Sequence, residues 1–334
     1  MEVGFSSFLS PRGMDVLYRP GHTAAKVAET LRGYSRRLRE RLRPFPADVA
    51  FVYREAAPLA PSWLERGLAG RRPLVFDFDD AIWLRDASPA NARWKRLQPA
   101  GKAAALCRLA SHVTVGSAAL ADFARQHARA VTVVPSTIDT DRYPLRPRAP
   151  QPRPVIGWTG SHTTWPHLLT VGEALVRLRR EVDFELRVVG AGAVSIPGLD
   201  VNSVPWRAES EAEDLRPIDV GLMPLPDDEW SRGKCGMKAL QYMALGIPPV
   251  VSPVGANVEI VRDGVEGFHA RGADEWRERL LRLLRDGELR EQMGRRARAR
   301  VEERYSARVQ APRLAALLRA VAGDGAPVAA EAPA

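Results

Sequence analysis

The 334-residue chain has only two cysteines, Cys107 and Cys235, and six histidines. Two cysteines this far apart make no disulfide framework, and no Cys/His cluster has the spacing of a zinc site. Aromatic residues are 7% of the chain and do not interleave with basic ones, so nucleic-acid binding rests on the +9 net charge alone and ranks last among the readings. Most of that charge is arginine in an Ala- and Arg-rich composition, which explains part of the excess without a function. No segment approaches the run of about 20 apolar residues that a transmembrane helix needs. The stretch Met1 to Met14 lacks the charged region and long apolar run of a secretory signal. These absences predict a cytoplasmic protein that at most touches the inner face of the plasma membrane peripherally.

With 45% hydrophobic residues, the composition is that of a soluble globular protein, and the length fits two domains of about 150 residues each. Gly233 to Gly267 organises the rest. It reads as a glycine-broken helix start, a helix, a Pro-bounded buried strand from Pro249 to Ser252, a glycine turn and a short second helix. Lys234, Lys238, Gln241 and Leu245 recur at helical spacing, which puts two cations and an amide near a helix N-terminus. Free backbone N–H groups and the positive dipole end attract phosphate there, Gly233, Cys235 and Gly236 admit a ligand to the backbone, and Arg232, Lys234 and Lys238 add charge. The turn Pro253 to Asn257, with Gly255, opens a second short helix bearing Glu259 and presents further N–H groups at a strand's carboxyl end. An ordinary buried helix with solvated lysines is the alternative for any one of these residues; their combined order and spacing favours an anion site.

This stretch resembles the donor-binding region of glycosyltransferase family 4, in the branch with a Lys-Cys-Gly-x-Lys-x-x-Gln-Tyr-Met motif. The resemblance implies the GT-B fold, two Rossmann-like doubly wound α/β domains facing across a cleft, and a retaining transferase that uses a nucleoside-diphosphate sugar without a metal or other cofactor. It places Gln241 on the second of the family's two glutamates, which binds ribose hydroxyls, and Gly233 on the first, which lies near the donor sugar. Both acidic positions are altered: Gln241 still hydrogen-bonds a hydroxyl, whereas Gly233 offers no side chain.

Taken in order, His22 to Leu42 has an apolar stripe (Val27, Leu31, Tyr34, Leu38, Leu42) amid arginines. It reads as a surface helix covering the N-terminal sheet, or as a basic amphipathic helix docking on anionic lipid. Asp48–Arg54 and Pro73–Asp77 read as buried parallel strands. Asp77, Asp79 and Asp80 then cluster at a strand's end, a rival site for a divalent ion on a pyrophosphate. The family branch has a similar segment at the edge of its cleft, which implies catalytic Asp79 or Asp80 facing acceptor or donor sugar, and a structural Asp77. Like-charge crowding there raises one carboxylate's pKa.

A helix from Arg93 to Leu109, a strand at His112–Val115, a helix capped by Ser117 and a strand at Val131–Pro135 complete the first domain, with His112 structural. The division expected is 1–143 for the acceptor-side domain, 144–154 for a Pro-rich linker, 155–305 for the donor domain, 306–322 for a helix crossing back, and 323–334 for a tail. In the donor domain, the strand from Val155 runs into Gly160 and Ser161, whose N–H groups the resemblance places beside the diphosphate, and Trp206 falls where the family contacts the base, to stack on it or simply to pack. Residues 272–320 read as helical throughout. The chain reaches a basic helix before any convincing strand, which predicts that the first domain lacks its first strand-helix unit, by a misplaced start or a true truncation.

The function that follows is transfer of a hexose-type sugar to a glycan or lipid-linked acceptor in envelope or exopolysaccharide synthesis, with Lys238 stabilising the leaving diphosphate. A GT-B nucleotide-sugar epimerase and a non-catalytic nucleotide-sugar-binding subunit are the alternatives.

Overall fold

The computed structural model describes residues 2–17, 21–42, 46–58, 60–84, 99–145 and 152–324. The chain divides into two compact units, Met1–Val134 with Arg313–Ala334, and Pro135–Pro312. Residue 143, the expected boundary, falls inside the second unit, where Ile138 and Tyr143 are buried in the core. Residues 146–151 of the expected linker and 325–334 of the expected tail lie outside the described residues.

The first unit opens with α1 (Pro11–Leu17) and α2 (Thr23–Leu42). It continues through β1 (Ala50–Tyr53), α3 (Trp63–Ala69), β2 (Leu74–Phe78), a 3-10 turn at Ile82–Leu84, α4 (Lys102–Leu109), β3 (His112–Val115), α5 (Ala118–Arg125) and β4 (Val131–Val133). All four strands are parallel and lie in sequential order, β1-β2-β3-β4. β3 is buried throughout, as a strand covered on both faces must be. Ser117 caps α5 by accepting from the Leu120 amide, and His112 Nε2 meets Thr132 Oγ1 at 2.9 Å, a structural contact within the sheet. α4 starts at Lys102, after Gly101 in the left-handed region, and residues 93–98 of the longer helix expected there lie outside the described residues. Among the described residues, two helices and no strand precede β1.

α2 departs from the first of its two readings, a helix laying its apolar stripe on the sheet. Its buried residues are Lys26, Glu29 and Gly33, while Val27, Leu31, Leu38 and Leu42 of the apolar stripe are exposed. The helix packs on the segment around α1: the Phe8 ring fills the space beside Gly33 and meets Tyr34 edge-on at 5.2 Å. Arg37 bonds the Ala56 carbonyl and Glu40, and Ser10 donates to Glu29. Polar contacts with these segments, and not apolar burial on the sheet, set the rotation of the helix.

The second unit runs β5 (Val155–Thr159), α6 (Trp165–Leu169), α7 (Gly172–Arg179), β6 (Glu185–Val189), β7 (Val201–Val204), α8 (Glu211–Leu215), β8 (Val220–Met223), α9 (Glu229–Arg232), α10 (Met237–Ala244), β9 (Pro249–Val251), α11 (Asn257–Ile260), β10 (Phe268–His269), α12 (Gly272–Arg285) and α13 (Gly287–Arg300). A π turn at Val301–Tyr305 then leads into α14 (Ala307–Asp324). The helical run expected over 272–320 is thus interrupted at Asp286 and Ser306, where the backbone turns extended. Pro312 lies inside α14 at the division between the units, and beyond it Leu317 and Val321 pack on Val75 within the first unit.

The sheet of the second unit is parallel with the order β10-β9-β8-β5-β6-β7. Winding proceeds outward from β5 through β6 to β7, then returns to β8 on the other side. The reversal leaves a crevice at the carboxyl ends of β5 and β8, the place where open α/β sheets bind ligands. Gly221 on β8 makes room for the fully buried Tyr242 of α10: a Cβ there would sit 2.3 Å from its ring. Tyr242 Oη in turn accepts from the Thr159 amide at 2.9 Å, which ties α10 to the end of β5.

Candidate functional site

A cavity of about 360 Å³ opens at that crevice, lined by Thr159, Gly160, Ser161, Gly190, Trp206, Glu211, Met237, Lys238 and Gln241. Its size is within the range of small-ligand pockets, roughly 300–1,000 Å³. Two glycines shape its floor. Gly190 adopts φ +92°, and a Cβ on it would fall 2.6 Å from the Gly160 carbonyl oxygen. The bare Gly190 thus lets its loop approach Gly160, while a Cβ on Gly160 would meet the ring of its own neighbour Trp158 at 2.5 Å.

α10 points its N-terminus into this cavity. Gly236 precedes it at φ +71° with no side-chain cap, so the positive dipole end of the helix is not countered by a capping side chain. A Cβ on Gly236 would strike Ile260 Cδ1 at 2.1 Å. Lys238, one residue into the helix, adds formal charge, and its Nζ lies 5.5 Å from the Trp158 ring centroid. The positive field registers on His167 of α6, whose pKa is lowered by burial and then by Lys238 and Lys234.

A hydrogen-bonded chain runs from α10 to Trp206. Gln241 Nε2 donates to Tyr143 Oη at 3.3 Å, Tyr143 Oη donates to Glu211, and Trp206 Nε1 donates to the other Glu211 oxygen at 2.6 Å. Burial and then the bond to Glu211 push the Tyr143 pKa up, which keeps its hydroxyl proton in place as the donor. Trp206 is thereby held at its indole nitrogen while half of its surface stays exposed, leaving a ring face for stacking.

Of the residues the sequence singled out, Gly160, Ser161, Trp206, Lys238 and Gln241 line the cavity together. Gly160 and Ser161 arrive differently from the expectation. The Gly160 amide donates to Val189 in the sheet at 2.9 Å and the Ser161 amide to Thr164 Oγ1 at 3.1 Å, so both N–H groups are already engaged. Arg232, Lys234, Gly255, Asn257 and Glu259 are not part of the lining. Arg232 is exposed and bonded through Nε to Asp227 at 2.8 Å, because Asp227 lies one loop earlier in the chain. Lys234 Nζ lies 4.3 Å from the Trp230 ring centroid. Gly255 adopts φ +55°, and a Cβ there would fall 2.5 Å from the Arg232 carbonyl oxygen. Asn257 is buried and bonds the Ser252 carbonyl at 2.9 Å, and Glu259 is exposed with its carbonyl accepting from Arg300 and Tyr305.

In the first unit, Asp79 and Asp80 stand at the carboxyl end of β2, paired with Arg54. Asp79 accepts from Arg54 at 2.7 and 2.9 Å and from Tyr53 Oη at 2.8 Å, and Asp80 meets the same guanidinium at 2.5 Å. Asp77 is held below them by Thr114 Oγ1; burial, with the nearby Asp79 adding to it, raises its pKa to about 6. Among the described residues, no group of three His, Cys, Asp or Glu side chains converges as metal ligands. Glu211, Tyr143, Met237 and Gly190 were not expected from the sequence. Glu211 lies in an acidic run that reads as a solvated helix, and Tyr143 stands at the head of the proline-rich stretch.

The comparisons agree with this picture. The solved structure of a glycosyltransferase from Rickettsia africae ESF-5 is 13% identical over 86% of this chain and 80% of its own, with a TM-score of 0.65. A sucrose-phosphate synthase from Thermosynechococcus elongatus is 16% identical, covers 89% of this chain and 79% of its own, and has a TM-score of 0.63. The Anabaena protein HepE in complex with UDP and glucose is 17% identical, covers 85% and 81%, and has a TM-score of 0.65. At these identities the likeness defines the fold class, GT-B, with two Rossmann-like units. Residues 153–286, which include most of the second unit, match the family model "Glycosyl transferases group 1". No curated protein matches the chain.

Proposed function

We propose that the chain is a glycosyltransferase that holds a nucleoside-diphosphate sugar in the cavity of its second unit. The sugar passes with retention, and without a metal, to a glycan or lipid-linked acceptor, on the cytoplasmic side of envelope or exopolysaccharide synthesis. The observation that carries this reading is the gathering of Lys238, the uncapped start of α10, Gln241 and the Trp206 ring around one cavity at the sheet's switch point. The family match over residues 153–286 and the fold of the solved structures support it.

The parts divide by chemistry. The diphosphate goes to Lys238 and the α10 N-terminus, where the charge that develops on the leaving group is stabilised more in the transition state than in the ground state. The base stacks on Trp206, and Gln241 with Glu211 turns hydrogen-bonding atoms toward the sugar hydroxyls of the nucleoside. With no side chain at Gly233 near the donor sugar, the leaving phosphate itself accepts the acceptor's proton. Incubation with a panel of nucleotide-sugars, following nucleotide release with and without EDTA and the product's anomeric configuration by NMR, tests the reading. Release that needs a divalent ion, or an inverted product, contradicts it.

A second reading is favoured by Gly233 and by the pairing of Asp79 and Asp80 with Arg54: a subunit that binds the nucleotide-sugar without turnover. Nucleotide binding with no release against any acceptor is its signature.

A further inference from the structure

We infer that Tyr143 is a positioning residue of the donor cavity, and that its single hydroxyl proton, given to Glu211, dictates an amide and excludes a carboxylate at position 241. The inference rests on the donor reading of the cavity and adds to it the direction in which the hydrogen bonds around the ligand run. Tyr143 and Gln241 are 7 and 9% exposed, so the polar atoms they turn inward need partners in the protein or on the ligand. A tyrosine hydroxyl has one proton to give and lone pairs with which to accept, whereas a carboxylate only accepts. The contact between Tyr143 Oη and Glu211 therefore uses the tyrosine proton, and burial together with that contact keeps it in place. Only lone pairs are left toward Gln241, which must turn its nitrogen to Tyr143, as Nε2 does at 3.3 Å. The other Glu211 oxygen takes the Trp206 indole hydrogen at 2.6 Å. Every bond of the chain thus runs toward Glu211, and Gln241 Oε1 is the acceptor that remains for a ligand in the cavity that this side chain lines.

The backbone behind the hydroxyl is clamped on both sides. Arg298 Nη1 donates to the Tyr143 carbonyl at 2.6 Å and also to the Ala244 carbonyl at the end of α10, while Arg142 Nη2 donates at 3.1 Å to the carbonyl of Ala208, in the segment that carries Trp206. A glutamate at position 241 would set a second carboxylate on a hydroxyl that has no second proton. The charged groups facing that position are Glu211 of α8 and Lys238 on α10 itself, with Arg142 and Arg298 behind Tyr143. Lys238 favours a charged carboxyl there, but Glu211, in contact with the same hydroxyl, disfavours it, and only the protonated form could donate to Tyr143 as the amide does.

The test is a cycle of near-isosteric exchanges in the full chain: Gln241→Glu, Glu211→Gln, and the two together. Calorimetric titration with uridine, guanosine and adenosine diphosphates reads the ligand, and the melting temperature without ligand reads the chain of bonds. Each single exchange should weaken diphosphate binding roughly tenfold and lower the melting temperature, the first by setting two carboxylates on one proton, the second by removing the acceptor that serves both Tyr143 and Trp206. Together they reverse the chain: a glutamine at 211 donates to Tyr143 and accepts from Trp206, and Tyr143 gives its proton to the carboxylate at 241. The double variant should therefore bind within about threefold of the parent and melt with it. In Gln241→Glu alone, affinity relative to the parent should recover as pH falls from about 8 to about 5.5, because the protonated carboxyl regains a hydrogen for Tyr143. In a Tyr143→Phe background the two exchanges should no longer compensate. Losses that add in the double variant, a Gln241→Glu protein that matches the parent at every pH, or compensation that persists without the hydroxyl overturns the inference. A parent that binds none of the three diphosphates contradicts the donor reading instead, and the melting temperatures of the cycle still decide the direction of the chain.

Discussion

The two units present charged residues at the carboxyl ends of parallel strands, in two different settings. In the first unit the described strands lie in sequential order, β1-β2-β3-β4, with no reversal among them. The carboxylates at the end of β2 meet Arg54 and Tyr53. In the second unit β8 returns to the far side of β5, and the crevice so opened receives a helix N-terminus, a lysine and an aromatic face. The difference teaches what a change of winding direction supplies: room for a ligand at the ends of the strands.

The comparison can be broken most sharply at Lys238. Lys238→Ala should cost about 2–4 kcal/mol of transition-state stabilisation, a loss of roughly 30- to 1,000-fold in kcat, with the fold unchanged by circular dichroism. Turnover within a few-fold of the parent would remove Lys238 from the chemistry.

Asp77→Asn probes the first unit. The folded-state pKa of Asp77, about 6, lies above the ordinary 3.8, so the folded protein holds this proton more tightly than the unfolded chain. Stability therefore falls as pH rises from about 4 to 6. Asparagine keeps an acceptor for Thr114 and cannot ionise, so the variant should flatten that slope and gain about 1–3 kcal/mol at pH 7. Urea unfolding at pH 4, 6 and 7 reads the effect; parallel pH profiles in parent and variant would contradict it.

Glu211→Ala should free the Trp206 indole and the Tyr143 hydroxyl, weakening nucleoside diphosphate binding by about 1–2 kcal/mol, measurable by calorimetry. An unchanged dissociation constant would show that the chain from Gln241 to Trp206 does not position the ligand. Asp80→Asn should be the mildest of the four for donor binding, changing it by less than about 0.5 kcal/mol, whatever it does to transfer. A larger loss of donor affinity would mean that this end of β2 takes part in holding the donor.

Much of the fold was legible because its signals are local. Buried parallel strands show as short apolar runs, and the glycines at 160, 190, 236 and 255 mark turns that the structure does use for close approach. The motif around Lys238 and Gln241 was legible for the same reason, since helical spacing fixes which side chains share a face. What escaped depends on contacts between segments distant in sequence. Glu211 reaches the cavity through the crossover from β7, Tyr143 through a bond to a residue nearly a hundred positions later, and neither carries a local signature. The pairing of Arg232 with Asp227 was not legible either, because a basic residue beside a helix start reads equally as a phosphate contact. The α2 stripe was legible as a pattern, but the sequence left two directions open, because the contacts of Phe8 and Ser10, outside the helix, decide which face turns inward.

The most direct test of the account is calorimetric titration of the full chain with nucleoside diphosphates in EDTA, alongside Lys238→Ala. Saturable one-to-one binding of at least one nucleotide without a divalent ion, weakened roughly tenfold or more by the substitution, is the predicted result. Binding that appears only with added magnesium, or that Lys238→Ala leaves unaltered, would contradict the assignment of the site to the second unit's cavity.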